Sequence, residues 1–525
     1  MAATTTVQRP SNLARANRTS WLLLAPVFLV LLVYFLYVSR NRFIDGDEGF
    51  YLLAARLVLL HKTPYLDFFY TQAPLLPYVY AIWMKFAGVT WIAGRTLSAL
   101  LTALLGLLVF GNVCRLTGKV LAGLSAAGLF AATTFIFAWY PIAKTFSLAG
   151  LCLFAAYAIL SGLPQDLPPG WIACSGLLLG LSADTRSYVV AVTPVFVWWI
   201  IRRSGESRRV ANTLWFLGGW VVGLAPSALL FALSPDRYWF NNLGYHAIRS
   251  AEGTFGDWRA KLGAVRLALV GPENNGLQFG MLSGACVALA FLWRKRMSAS
   301  FLAFLIAFCL GLISILPNPV YSQYFCLSVP FVIVSAVCLV SDYFAWLHSP
   351  AVRRMATVTL AVLLAGYVAL GVAGFRNYLF TASAVIGIDD ADDAPNWTLR
   401  GVREVSKAID GLTVPAEQVG SFWPGYVFES HTVPYPGFEN NFGWSVSWQL
   451  TPQEKAKYHI LSPEDIVRGF AAHEPRIVVL GNDVLQKDPR APQIAGILKA
   501  HGYEPGRTIG NATIYVATPA GKAGL

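Results

Sequence analysis

Long apolar runs broken by short basic clusters fill the first 375 positions of the chain. A membrane-crossing helix needs about 20 mostly apolar residues. Eleven segments fit: near 21–39, 93–113, 120–139, 146–162, 171–185, 187–202, 211–233, 276–293, 299–317, 325–346 and 355–375. Between the first two runs, residues 40–92 have a different character. Helical wheels of Glu48–Leu60 and Pro74–Phe86 each give one strongly apolar side edged by Tyr, Trp and Lys, which predicts helices lying in the headgroup layer. Past residue 376 the pattern changes again. "NWTLRGVREVSKAIDG" reads as an amphipathic helix, "EQVGSF" and "RIVVLG" as short strands, "PQIAGILKAHGY" as a helix and "ATIYVAT" as a closing strand. This alternation predicts a small α/β domain. There is no internal repeat, and the absence of paired interrupted halves counts against a secondary transporter.

Composition sharpens the class. Of 525 residues, 56% are hydrophobic and 13% charged, about half the charged share of a soluble globule. The expected fold class is therefore mainly α: a polytopic membrane protein of about eleven transmembrane helices with a small C-terminal α/β extracytoplasmic domain. The net charge of +12 sits in clusters between apolar runs, a pattern that reports membrane orientation and anionic headgroups and not nucleic acid. Arg9, Arg15 and Arg18; Arg115 and Lys119; Arg202, Arg203, Arg208 and Arg209; Arg294, Lys295 and Arg296; and Arg353 and Arg354 all fall on one face, which the positive-inside rule makes cytoplasmic. The expected domains are a cytoplasmic tail over 1–20, a transmembrane domain over 21–375 with its first outer loop at 40–92, and an outer domain over 376–525. The first apolar run lacks a small-residue cleavage site and reads as a retained span. The seven cysteines lie in or beside apolar spans without metal-ligand spacing, so they read as core residues. "NWT" at 396 and "NAT" at 511 are glycosylation sequons by pattern only.

The chemistry gathers on the outer side. In "DGDEGFYLLAARLV" three acids, Asp45, Asp47 and Glu48, precede an apolar helix. Such acids cap a helix by satisfying its free N–H groups. A carboxylate within about 3 Å of a hydroxyl can also take its proton. Cations on the same side are Arg95, Lys144 and Arg186, then Arg249 and Lys261; Tyr321 and Tyr324 stand in "PNPVYSQYF". Arginine at a span end can grip a phosphate with two parallel hydrogen bonds, or snorkel to headgroups. His61 and His246 read as interfacial residues and not as metal ligands.

The order of one span, "DEGFY", "PYLDFFYTQAPLLPYVYA", "GRTLSALLTALLG" and "GLLLGLSADTR" resembles the GT-C glycosyltransferases that use polyprenyl-phosphate sugars, a group including protein O-mannosyltransferases and lipid A aminoarabinose transferases. The resemblance covers roughly residues 20–345. It implies a GT-C-like membrane domain and an inverting hexosyl- or pentosyltransferase that moves a sugar from a polyprenyl-phosphate donor to a glycan, lipid or protein acceptor. The place of action would be the periplasmic or extracellular face of the inner (plasma) membrane. Asp47 matches the family's general base, with Glu48 and Asp45 as further catalytic candidates. Arg95, Lys144, Arg186, Tyr321 and Tyr324 would bind the donor phosphate. No cofactor is required, although a divalent metal is compatible. Two positions depart from the family pattern: Gln72 stands where a lysine is usual, and Lys144 stands where the second outer loop commonly has an acid. The alternatives are a transporter or flippase of lipid-linked sugar or polysaccharide, and a non-catalytic lipid-binding scaffold.

Overall fold

A computed structural model describes residues 10–162, 168–250, 258–272, 275–291, 298–383, 385, 388, 392–481 and 494–518. Helix α1, Pro10–Asn41, leads into α2, Gly46–Leu59, and α3, Leu75–Ala87; α4, Trp91–Thr117, then runs back beside α1. Arg95 near the start of α4 and Arg115 near its end are about 30 Å apart at 1.5 Å per residue, roughly the thickness of a bilayer's hydrocarbon core.

All eleven apolar segments contain helix, but not every one forms a single helix of spanning length. Among the described residues five helices are long and apolar enough to cross a membrane: Trp21–Asn41, Trp91–Thr117, Thr145–Gly162, Ser322–Trp346 and Pro350–Thr381. A sixth is a pair, Glu206–Gly223 and Ala225–Leu233, bent by 58°. The other apolar segments make shorter helices. The 120–139 run, for instance, breaks at Thr133, whose extended backbone ends Val120–Ala132 before a short turn over Thr134–Phe137. Gln278 heals that break by accepting from the Thr134 N–H at 2.9 Å and donating to Ala132 O at 2.9 Å. The Pro169–Thr185 helix crosses Arg209–Gly223 at near-contact distance. A Cβ on Gly176 would lie 2.0 Å from the Phe216 carbonyl oxygen, so only a small residue allows this approach.

The apolar side of helix α2 faces protein: residues Glu48–Ala55 and Leu57 are buried. The polar loop residues in front of it are covered by the C-terminal region, a long-range contact that no wheel can show. Helix α3 does keep an exposed edge at Ile82 and Phe86.

The C-terminal region carries a five-stranded sheet in the order β2-β1-β3-β5-β4, with β1 Gln418–Ser421, β2 Val433–Pro434, β3 Ile477–Leu480, β4 Tyr503–Ile509 and β5 Ala512–Ala517. β1 pairs in parallel with β2 and β3; β5 runs antiparallel to both β3 and β4. The expected strands are β1, β3 and β5, and the expected helices are Leu399–Asp410 and Ile494–Ala500. Strand β4 carries Pro505 and Gly506, both poor strand formers, and is held by its hairpin partner across an irregular register. The sequons meet in space: Asn511 donates its backbone N–H to Asn396 Oδ1 at 3.2 Å, and both side-chain amides face Asp393. Every cysteine is free, and five of the seven are buried.

Glu439, 5% exposed, lies between β2 and the short helical turn Asn441–Gln449. Burial pushes its carboxyl up to about 7 from 4.5, although the Gly437 N–H donates to it. A raised acid pKa gives stability that is full below about 4.5 and is lost as pH rises to about 7. Glu439→Gln should therefore flatten that fall, read as the thermal midpoint of the purified protein at pH 5 and pH 8.

Candidate active site

The turn from α1 to α2 concentrates charge. Asp45 takes the N-cap of α2 and accepts from the Asp47 N–H at 3.1 Å, while Glu48 reaches back to the Asp45 N–H at 2.9 Å. This reciprocal capping box satisfies two of the helix's free donors. Its carboxylates then meet three buried cations.

Arg95 donates Nε to Glu48 Oε2 at 2.8 Å and one Nη to Oε1 at 2.5 Å. Its remaining N–H groups go to the carbonyls of Ser39, Arg42 and Phe43. Five donors thus have five acceptors, and Arg95, expected to bind phosphate, has none left. Glu48 is equally committed, because Oε2 also accepts the Ala143 N–H at 3.1 Å. A carboxylate with both oxygens engaged and no exposure is not placed to take a substrate proton, against the sequence expectation.

Lys144 enters from the other side. Its Nζ is 2.6 Å from Asp45 Oδ1 and 2.9 Å from Asp47 Oδ2, and it lies 4.8 Å from the centroid of the Trp139 ring. Burial works against the Lys144 charge, yet Asp45 and then Asp47 hold it above the usual lysine range. Burial likewise works against ionised Asp45, and Lys144 and then Arg42 outweigh it, holding Asp45 below the usual carboxylate range. Lys144 is therefore spent on carboxylates and is not the free phosphate grip expected. Arg42, which the sequence reading passed over, stacks on Trp139 and Tyr378 and donates to Ala138 O. Nothing near it in the sequence distinguishes it from a snorkelling arginine.

Asp47 differs from its neighbours: its side chain is 35% exposed, against 7% for Asp45 and 0% for Glu48. It lies within electrostatic reach of Tyr51, Tyr245, Arg249 and Tyr324. Arg186 faces the rings of Phe146, Tyr188 and Tyr324 at 4.4, 4.8 and 5.4 Å and donates to Thr145 Oγ1. Its Nε has no hydrogen-bond partner. Tyr321 packs edge-on to Tyr324 at 5.7 Å. The loop before them is fixed by Lys261, whose Nζ donates to the carbonyls of Ile315, Leu316 and Pro317, and by Ser250, which donates to Asn318 O. Lys261 thus shapes the loop that carries the tyrosines. His246 faces the Thr71 carbonyl at 3.1 Å. Among the described residues no group of three His, Cys, Asp or Glu side chains could hold a metal ion.

The C-terminal region grips α2 directly. Trp423 donates Nε1 to Gly46 O at 2.9 Å, which is the carbonyl of the peptide unit joining Gly46 to Asp47. Arg56 donates to Val427 O at 2.7 Å and Thr432 O at 2.5 Å. At Gly49 a Cβ would sit 2.6 Å from the Gly425 backbone.

No known family model matches the chain, and no curated protein sequence does either. Solved structures do match. ArnT from Cupriavidus metallidurans bound to undecaprenyl phosphate superposes with a TM-score of 0.66 at 13% identity, covering 96% of this chain and 99% of that one. The fold is that of ArnT. Its apo state gives 0.64 at 14% identity, over 96% and 100% of the two chains. The polytopic helical fold expected from the motif order is therefore present, and at this identity the ArnT fold alone is shared.

Two variants test this geometry. Glu48→Gln strands the Arg95 guanidinium in a buried site and should cost about 3 to 5 kcal/mol of stability, measured by thermal unfolding in detergent. Trp423→Phe keeps most of the ring but drops the bond to Gly46, and should cost about 1 kcal/mol with expression unchanged.

Proposed function

We propose that the protein is a membrane glycosyltransferase that moves one sugar from a polyprenyl-phosphate carrier to an acceptor hydroxyl at the outer face of the inner (plasma) membrane. The observation that carries this reading is that a partly exposed carboxylate, Asp47, and an under-committed arginine, Arg186, share the neighbours Tyr51 and Tyr324 in an ArnT-type helical fold. The undecaprenyl phosphate bound in ArnT supports a lipid phosphate as the donor's anchor.

In this reading the acceptor oxygen attacks the anomeric carbon from the face opposite the phosphate. The new carbon–oxygen bond forms as the bond to the phosphate oxygen breaks, and that oxygen keeps the electron pair. The hydroxyl proton passes to Asp47, and the configuration inverts. Arg186 and Arg249, with Tyr321 and Tyr324, hold the leaving phosphate as its charge grows. Asp45 and Glu48 shape the helix that presents Asp47. Residues 21–375 form the catalytic membrane domain, and residues 376–525 stand on the outer side, where they brace α2 and face the acceptor.

The test is transfer in vesicles from labelled polyprenyl-phosphate sugars. Asp47→Asn should lower turnover by about 100-fold or more, while Arg186→Met should raise the donor KM. Wild-type turnover in Asp47→Asn removes the base. Lipid movement across the vesicle without sugar transfer would favour a flippase.

A further inference from the structure

We propose that Lys144 is a built-in cation that occupies the place a divalent metal would take between two carboxylates, so that sugar transfer runs without metal. This rests on the reading of Asp47 as the base.

The geometry is that of a bridge. One ammonium nitrogen contacts Asp45 Oδ1 and Asp47 Oδ2 at 2.6 and 2.9 Å, and Trp139 lies against it at 4.8 Å. The lysine side chain is 3% exposed. The charge count closes the argument: Asp45, Asp47 and Glu48 are met by Arg42, Arg95 and Lys144, three negative charges against three positive, all packed around the start of α2. A divalent ion added here would leave two uncompensated positive charges in a largely buried setting and would have to displace the ammonium first. Hard divalent ions need several free oxygen ligands, whereas both Glu48 oxygens are engaged by backbone N–H groups and Arg95, and Asp45 Oδ1 is taken by the Asp47 N–H and Lys144. Lys144 therefore acts as a positioning residue. It fixes the Asp47 carboxylate in one orientation toward the acceptor hydroxyl. Phosphate binding falls to other groups, so Lys144 should leave the donor KM alone.

The experiment uses the full chain in vesicles with a labelled polyprenyl-phosphate sugar, before and after EDTA, together with Mn2+ binding followed by electron paramagnetic resonance. Wild-type rate should stay within about twofold after EDTA, and no Mn2+ should bind at the site. Lys144→Met should lower kcat by about 100-fold with donor KM changed by less than about twofold. Lys144→Arg should keep part of the rate, and ethylammonium should restore Lys144→Ala where Mg2+ does not. A wild-type rate that collapses in EDTA and returns with Mg2+ or Mn2+ overturns the proposal. So does bound Mn2+ that Asp45→Asn abolishes, or a Lys144→Met variant that loses donor affinity and keeps kcat. If Lys144→Met fails to fold, the EDTA and Mn2+ measurements on the wild type still decide. If the wild type transfers no sugar at all, the functional reading fails, and Mn2+ binding alone judges Lys144.

Discussion

Six charged side chains around one helix start hold this molecule's site together. Removing ions from water is costly, and the cost is met only where each ion has both an opposite charge and full hydrogen bonding. Arg95 and Glu48 satisfy that condition completely, with every donor of the guanidinium used. Their pairing ties α4 to α2 and to the end of α1. Lys144 ties the same cluster to the loop before the Thr145–Gly162 helix. Four separate pieces of chain thereby meet at Asp47, the acid in the group with appreciable exposure. The site's geometry is a by-product of solving a burial problem.

The membrane setting explains why the solution is so strict. A soluble protein can leave a surplus charge to water, whereas here most of the surroundings are apolar. Broken helices show the same economy. The gap at Thr133 is bridged by Gln278, and the Ser227 N–H near the start of Ala225–Leu233 is met by Asp184 Oδ1 at 3.1 Å. Polar side chains in this fold stand where backbone groups would otherwise lack partners.

Much of this was legible in the sequence, and the boundary is physical. Apolar runs gave the helices because their signal is local and long. The count of spans did not follow, because Thr133 and the bend at Leu224 interrupt helices without lowering hydropathy. Strands β3 and β5 were visible as short β-branched runs and β1 as a short segment around Val419, while β4, with Pro505 and Gly506, depends on pairing that no local pattern encodes. The motif around Asp47 pointed to the helix start where the buried charges gather. Which carboxylate stayed exposed was hidden, because Asp45, Asp47 and Glu48 differ by partners as distant in sequence as Arg95, Ala143 and Lys144. Arg42 escaped notice for the same reason. The amphipathic wheel of α2 could not show its protein cover, since a helix roofed by protein and a helix at a lipid surface share one pattern.

The hydrogen bond from Trp423 to Gly46 spans 377 positions of chain. At a synthesis rate of about 5 to 20 residues per second, the ribosome delivers that indole on the order of tens of seconds after α2 has left the exit tunnel. Throughout that interval the helix start bearing Asp47 waits without its clasp. Premature termination between residues 381 and 423 thus yields a product whose membrane helices can insert but whose acid-bearing helix lacks its C-terminal brace, a natural target for the cell's proteolytic surveillance.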